Sequence, residues 1–200
     1  MQRCGWVSQD QLYIDYHDRE WGIPETDGKK LFEMICLEGQ QAGLSWITVL
    51  KKRENYRSHF FQFSIIEIAA LTDDQLEGKL SDAGLIRHLG KLKAIRDNAI
   101  AWLKLKDEVD DVTTWLWNFV DHQTQENDVV NYREAPAQTE ISQKLSKTLK
   151  TMFKQIIILL FLFLGNPISA QETSFIAPDY KAIQKEITNK KSSFIFFCIR

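Results

Sequence analysis

Through roughly the first 150 residues, apolar side chains recur at the three-to-four-residue spacing of a helix, and no stretch shows the clean alternation of a strand. Leu31, Ile35, Leu37 and Ala42 make one such stripe, and Leu92, Ile95, Ala99 and Trp102 another. Asp27, Asp73 and Ser142 are expected N-caps, since a short oxygen-bearing side chain there satisfies amides that a first turn leaves open. Gly39, Gly43, Gly84 and Gly90 mark turns or close backbone approaches. The pattern predicts an all-α fold assembled from many short helices.

The pattern stops near Lys150. Met152 and Lys154 precede Ile156–Leu164, nine consecutive apolar residues, and then come Gly165, Asn166, Pro167 and Ile168-Ser169-Ala170-Gln171. A Met, a nearby Lys, a short apolar run and a small-residue cleavage-like site make up a bacterial secretory signal peptide, here placed internally. Residues 1–150 are therefore read as one domain, 151–200 as an unrelated tail, and 152–171 within it as signal-peptide-like. A frameshift, fusion or assembly join would produce such a tail. A buried helix of the same domain is the alternative reading. A membrane anchor is a third, although a span needs about 20 apolar residues.

A formal charge of -2 gives no global attraction to nucleic acid, so binding to an anionic polymer must use a local patch. Cys4, Cys36 and Cys198 are too few and too scattered for a disulfide framework, so a reducing cytoplasm is the expected compartment. The opening residues Met1–Asp10 lack an apolar run and do not read as a secretory leader.

One acid stands out. Glu38 lies in an otherwise apolar helical stretch, with Met34 and Ile35 one turn before it, and Trp6, Tyr13, Tyr16, Trp21 and Trp46 crowd the same part of the chain. Burying an unpaired carboxylate is costly, which asks for a ligand that repays it. A planar cationic heterocycle would suit aromatic faces with one carboxylate among them. The plainer reading makes the aromatics ordinary core and lets Glu38 cap a backbone amide.

Four strings carry a resemblance: RCGWVSQD (3–10), YHDREWGIPETD (16–27), KLFEMICLEGQQAGLSWITVLKKRENYR (30–57) and DAGLIRHLGKLKAIRDNA (82–99). Over residues 1 to about 150 they closely resemble the DNA-3-methyladenine glycosylase I family. The resemblance implies a helix-hairpin-helix DNA glycosylase that hydrolyses the N-glycosidic bond of 3-methyladenine in alkylated DNA. It assigns Glu38 as the base-reading carboxylate, Tyr16 as its hydrogen-bonding partner, Trp46 as the stacking platform, and Trp6, Tyr13 and Trp21 as the rest of the wall. Leu44 becomes a candidate wedge for the gap left by an extruded nucleotide, with a core role as the alternative.

The string Asp82–Lys91 matches the family's hairpin, so Gly84, Arg87, Gly90 and Lys91 are expected to meet phosphate. From Gly84 to Lys106, Arg87, Lys91, Lys93, Arg96, Lys104 and Lys106 stand against Asp97 alone. A solvated basic face is the alternative there.

Cys4 and His17 match the first two ligands of the family's structural Zn2+, which a His and a Cys near the C-terminus complete. No such pair follows here: the last histidine is His122, and Cys198 has no His beside it. His59, His88 and Cys36 fall in segments that the family uses elsewhere. The expectation is thus a C-terminally truncated domain that holds zinc weakly or not at all. The implied partners are double-stranded alkylated DNA and the 3-methyladenine base, with no membrane, in a monomeric cytoplasmic protein. The alternative function is a non-catalytic, unstable product.

Overall fold

The computed structural model describes residues 3–125, 136 and 138–152, and these fold as helices joined by short turns. Helix α1 (Gln11–Arg19) starts on Asp10, whose side chain accepts the Leu12 amide at 3.1 Å. Helix α2 (Gly28–Gln40) starts on Asp27, which accepts the Lys30 amide at 2.8 Å, as its sequence position predicts. Gly28 opens α2 because a Cβ there would sit 2.9 Å from Thr113 Oγ1.

Short helices α3 (Trp46–Leu50) and α4 (Arg53–Tyr56) follow, and α4 runs on through a π turn at Arg57–Phe61. Helices α5 (Ile65–Ala69) and α6 (Asp73–Gly78) each begin in a reciprocal capping box, Ser64 with Glu67 and Thr72 with Gln75. Thr72, not Asp73, is therefore the α6 cap: its hydroxyl leads an S/T-x-x-Q pattern in which both members gain a backbone partner.

The long helix α7 (Leu89–Glu108) is central, packing against α2, α5, α6 and α8 (Val112–Trp117). Helix α9 (Glu140–Met152) crosses the composition break expected at residue 150. Its first turn is closed by Thr139, whose hydroxyl accepts the Ser142 amide while Ser142 Oγ accepts the Thr139 amide. Ser142 thus answers the cap from three residues inside the helix instead of being the cap. The signal-peptide-like run beyond Met152, the tail with Cys198, and Phe153–Arg200 as a whole lie outside the described residues.

The main core joins Phe32, Cys36 and Leu37 of α2 to Val49, Tyr56, Phe60, Ile68, Leu76 and Leu85, closed by Leu92, Ile95 and Ala99 of α7. A second cluster, Ala101, Leu105 and Val112, receives Leu149 of α9. Trp102 packs against both clusters, standing on α7 between the face of Leu92, Ile95 and Ala99 and that of Ala101 and Leu105. Of the first stripe, Leu31 and Leu37 are buried, Ile35 is half-buried, and Ala42 falls beyond the end of α2. Gly39 lies inside α2 and makes no turn, whereas Gly43 turns the chain with φ +74. No helix among the described residues is long and apolar enough to cross a membrane.

Candidate functional site

Helix α2 buries three polar side chains near its core face, Glu33, Glu38 and Gln40. Two are answered within the protein. Glu33 accepts from Arg57 Nε at 2.8 Å, and Gln40 accepts from the Tyr56 hydroxyl at 3.0 Å. Glu38 is different: burial pushes its carboxyl up to about 8, with no cation or hydrogen bond opposing that shift. At neutral pH burial favours the protonated acid, so the negative charge anticipated from sequence is latent.

Aromatic rings stand around it in two groups. Tyr16 and Trp46, both buried, meet with centroids 5.5 Å apart at 53°. Trp6 meets Tyr13 at 5.0 Å and Trp21 at 5.4 Å, the latter edge-on. Glu38 lies close enough to both groups to raise the Tyr13 and Tyr16 hydroxyls further, although burial is the larger cause for each. Tyr13 is pushed up to about 12, so both phenols stay neutral donors across the physiological range. Trp46 also keeps a buried Nε1–H with no partner in the described structure. The structure thus gathers Glu38, Tyr16, Trp46, Trp6, Tyr13 and Trp21 into one region, with unspent polar groups among flat apolar faces.

The local fold explains the gathering. Asp10 caps α1 and also holds Lys51 at 2.7 Å, tying α1 to the end of α3. Arg53 of α4, nearly buried, grips Glu20 just after α1 through both guanidinium nitrogens. These ties set the α1 aromatics opposite Glu38 and Trp46.

His17 belongs to the same wall. Its ring stacks on Trp21 and lies 5.2 Å from Trp6. Its Nδ1 contacts Asp18 at 2.8 Å, and Asp18 is gripped by Arg3. That leaves Nε2 facing the Cys4 amide at 3.4 Å. The two candidate ligand residues are thus neighbours through the Cys4 backbone, and Asp18 is the kind of carboxylate that commonly orients a metal-bound imidazole. A closed structural zinc needs four ligands, and no group of three or more His, Cys, Asp or Glu able to hold a metal occurs among the described residues. The described residues therefore do not fit a complete zinc site. His59 pairs with Asp82, His88 caps α7, His122 contacts Asn118, and Cys36 is buried beside Asn98.

The loop after α2 presents Leu44, half-buried and absent from both core clusters, next to the exposed Gly43. Residues 82–88 join the end of α6 and its short 3-10 extension to α7. There the expected phosphate contacts divide. Arg87 and Gly90 are exposed beside the α7 N-terminus. Gly84 faces inward instead: a Cβ would sit 2.0 Å from Asn55 Nδ2, and its amide already donates to Asp82 Oδ1. Lys91 also turns inward, its Nζ donating to the carbonyls of Gln40 and Ala42 at 2.7 Å each. Half of the segment's basic residues are spent within the protein, since Asp73 pairs with both Lys93 and Arg96 and Lys91 turns inward. Gln40 and Tyr56, and the pairing role of Asp73, carry no local sequence signal, because each depends on partners distant in the chain.

A family model for methyladenine glycosylase matches residues 6–158. The DNA-3-methyladenine glycosylase 1 of Escherichia coli (strain K12) is 57% identical over 150 residues, covering 75% of this chain and 80% of the relative. A crystal structure of a 3-methyladenine DNA glycosylase I aligns with TM-score 0.74 at 52% identity, covering 82% of this chain and 91% of that one. The Staphylococcus aureus 3-methyladenine DNA glycosylase I, whose structure describes 3-methyladenine recognition, aligns with TM-score 0.73 at 31% identity, covering 82% and 88%.

Proposed function

This chain belongs to the methyladenine glycosylase family, and from that premise we propose that it excises 3-methyladenine from alkylated double-stranded DNA by hydrolysing the N-glycosidic bond. The carrying observation is Glu38: a buried acid with no hydrogen-bond or ion-pair partner among the described residues, set beside Tyr13 and Tyr16.

The roles follow from chemistry. An enzyme that acts on a base must take it out of the stack. Methylation at N3 makes the base cationic, so it departs as a neutral molecule with the bond's electron pair; water adds to the sugar cation and loses a proton. Little acid catalysis is needed, and selectivity comes from the pocket. A cationic ring entering beside Glu38 stabilises the ionised carboxyl, which releases its proton to solvent and pairs with the ring as a carboxylate. Tyr16 acts with Glu38 as hydrogen-bonding partner, Trp46 stacks on the base, and Trp6, Tyr13 and Trp21 complete the wall. Leu44 fills the gap in the duplex. The α6–α7 connection serves as the helix-hairpin-helix element, with Arg87 and the α7 N-terminus at Gly90 meeting phosphate.

The reading carries with it a monomeric cytoplasmic protein that has no membrane partner. The free thiols of Cys4 and Cys36 support a reducing compartment. Cys4 and His17 would supply two zinc ligands, and no chemical step runs through that metal.

The test incubates the purified full-length chain with methylated duplex and identifies the released base by chromatography. Release of 3-methyladenine well above the spontaneous rate is expected. Release at the spontaneous rate alone would overturn the proposal.

A further inference from the structure

Gln40 ends α2, two residues after Glu38 and four before Leu44, and its side chain is 1% exposed. Its amide reaches across the domain in both directions. Nε2 donates to the Lys91 carbonyl at 3.1 Å, and Oε1 accepts from the Tyr56 hydroxyl at 3.0 Å. Tyr56, fully buried, accepts in turn from the Ile86 amide at 3.2 Å. The Lys91 ammonium returns the tie, donating at 2.7 Å to the carbonyls of Gln40 and Ala42.

The α2 end and the α7 start are thus joined by bonds running both ways. Lys91 closes two carbonyls that the end of α2 leaves open, in place of a capping glycine. Ile86 and Lys91 flank Arg87 of the loop and Gly90 in the first turn of α7, both exposed. Hydrogen bonds to buried groups are costly to remove and hold one geometry, so this relay is stiff. It is also not needed to build the aromatic wall, whose rings come from the segment before α1, from α1, its following turn and α3.

We propose that Gln40 and Lys91 are positioning residues for excision, locking the helix end that carries Glu38 and Leu44 to the loop and helix start that meet the DNA backbone. A flipped nucleotide stays attached to its strand, so pocket and phosphate contacts must keep a set separation. The relay is the device that keeps it. Lys91 acts through the protein interior and does not itself touch phosphate. The proposal rests on the glycosylase reading above.

The test compares Gln40→Met and Lys91→Met with wild type in the full-length chain. Three quantities are read: affinity for free 3-methyladenine, affinity and salt slope for undamaged duplex, and single-turnover release of 3-methyladenine from methylated duplex. Both variants are expected to keep the first two and to lose roughly ten- to a hundredfold in release, the cost of a small misplacement of bound groups. Should Gln40→Met not fold, Lys91→Met decides alone. Unchanged release overturns the proposal. So does a release defect that merely follows lost free-base affinity, or a shallower salt slope for Lys91→Met, which would return that ammonium to phosphate. A wild-type chain that released no 3-methyladenine would overturn the function and this proposal together; normal release by wild type and variants alike overturns the proposal alone.

Discussion

The imidazole of His17 lies stacked on the indole of Trp21, with centroids 5.2 Å apart and planes 17° from parallel. One residue is a metal-ligand candidate and the other belongs to the base wall, so the two sites share a surface. His17→Ala removes a face on which Trp6 and Trp21 both rest, at roughly 0.5–1.5 kcal/mol per aromatic pair. Affinity for free 3-methyladenine should therefore fall several-fold, read by calorimetry, and unchanged affinity would show that the wall stands without His17. Because the described residues offer no third ligand, elemental analysis of the purified protein should find well under one zinc per chain; one tightly bound zinc would show that the shell closes.

Glu38 gives stability a pH dependence. The folded carboxyl keeps its proton to about pH 8, whereas the unfolded chain releases it near the ordinary 4.5. Between those values the folded state holds more protons, so stability of the ligand-free protein falls as pH rises through that window. Carboxyls held low by partners, such as Asp18 and Asp73, finish titrating below it. Melting temperature should fall from pH 5 toward pH 8 in wild type and stay flatter in Glu38→Gln. Parallel curves would contradict the buried-acid account.

Much of this architecture was legible in the chain, and what was not shares one cause. The stripe Leu92, Ile95 and Ala99 located α7, and Asp27 located the start of α2, because both signals are local. Glu38 was visible as an acid out of place. The inward turn of Lys91 was not, since it depends on carbonyls at Gln40 and Ala42 some fifty residues away. The same is true of Asp73, which neutralises Lys93 and Arg96 from α6 and thins the basic patch that composition suggested. Gly84 marks a close approach, as its sequence position predicts, and the neighbour that a Cβ there would meet is Asn55, a contact set by tertiary packing. Charge and glycine counts locate a surface; they do not say which groups the fold has already used.

Gly84→Ala tests that packing. The added methyl would fall within 2.0–2.3 Å of the Asn55 side chain, which is itself held by Asp82. Overpacking of this kind costs about 1–3 kcal/mol. Denaturant unfolding should show that loss, and combining Gly84→Ala with Asn55→Ala should cost less than the two changes summed. Full additivity would mean that the contact is not the source.

Arg87 is exposed, with no ion pair among the described residues. Arg87→Ala should weaken binding to any duplex about equally and reduce the salt slope by roughly one phosphate's share. Affinity for the free base should not move. A change confined to free-base affinity would remove this loop from the DNA interface.

The central claim is that Glu38, buried without a partner among the described residues, selects a cationic purine. Calorimetric titration of 3-methyladenine into wild type and Glu38→Gln, at a pH low enough that the free base is protonated and carries the charge it has in the nucleotide, tests it most directly, since the substitution keeps the size and removes the capacity for charge. The account predicts a loss of roughly 1.5–3 kcal/mol in binding, the range for hydrogen bonds to charged groups. Equal affinity in the two proteins would contradict it.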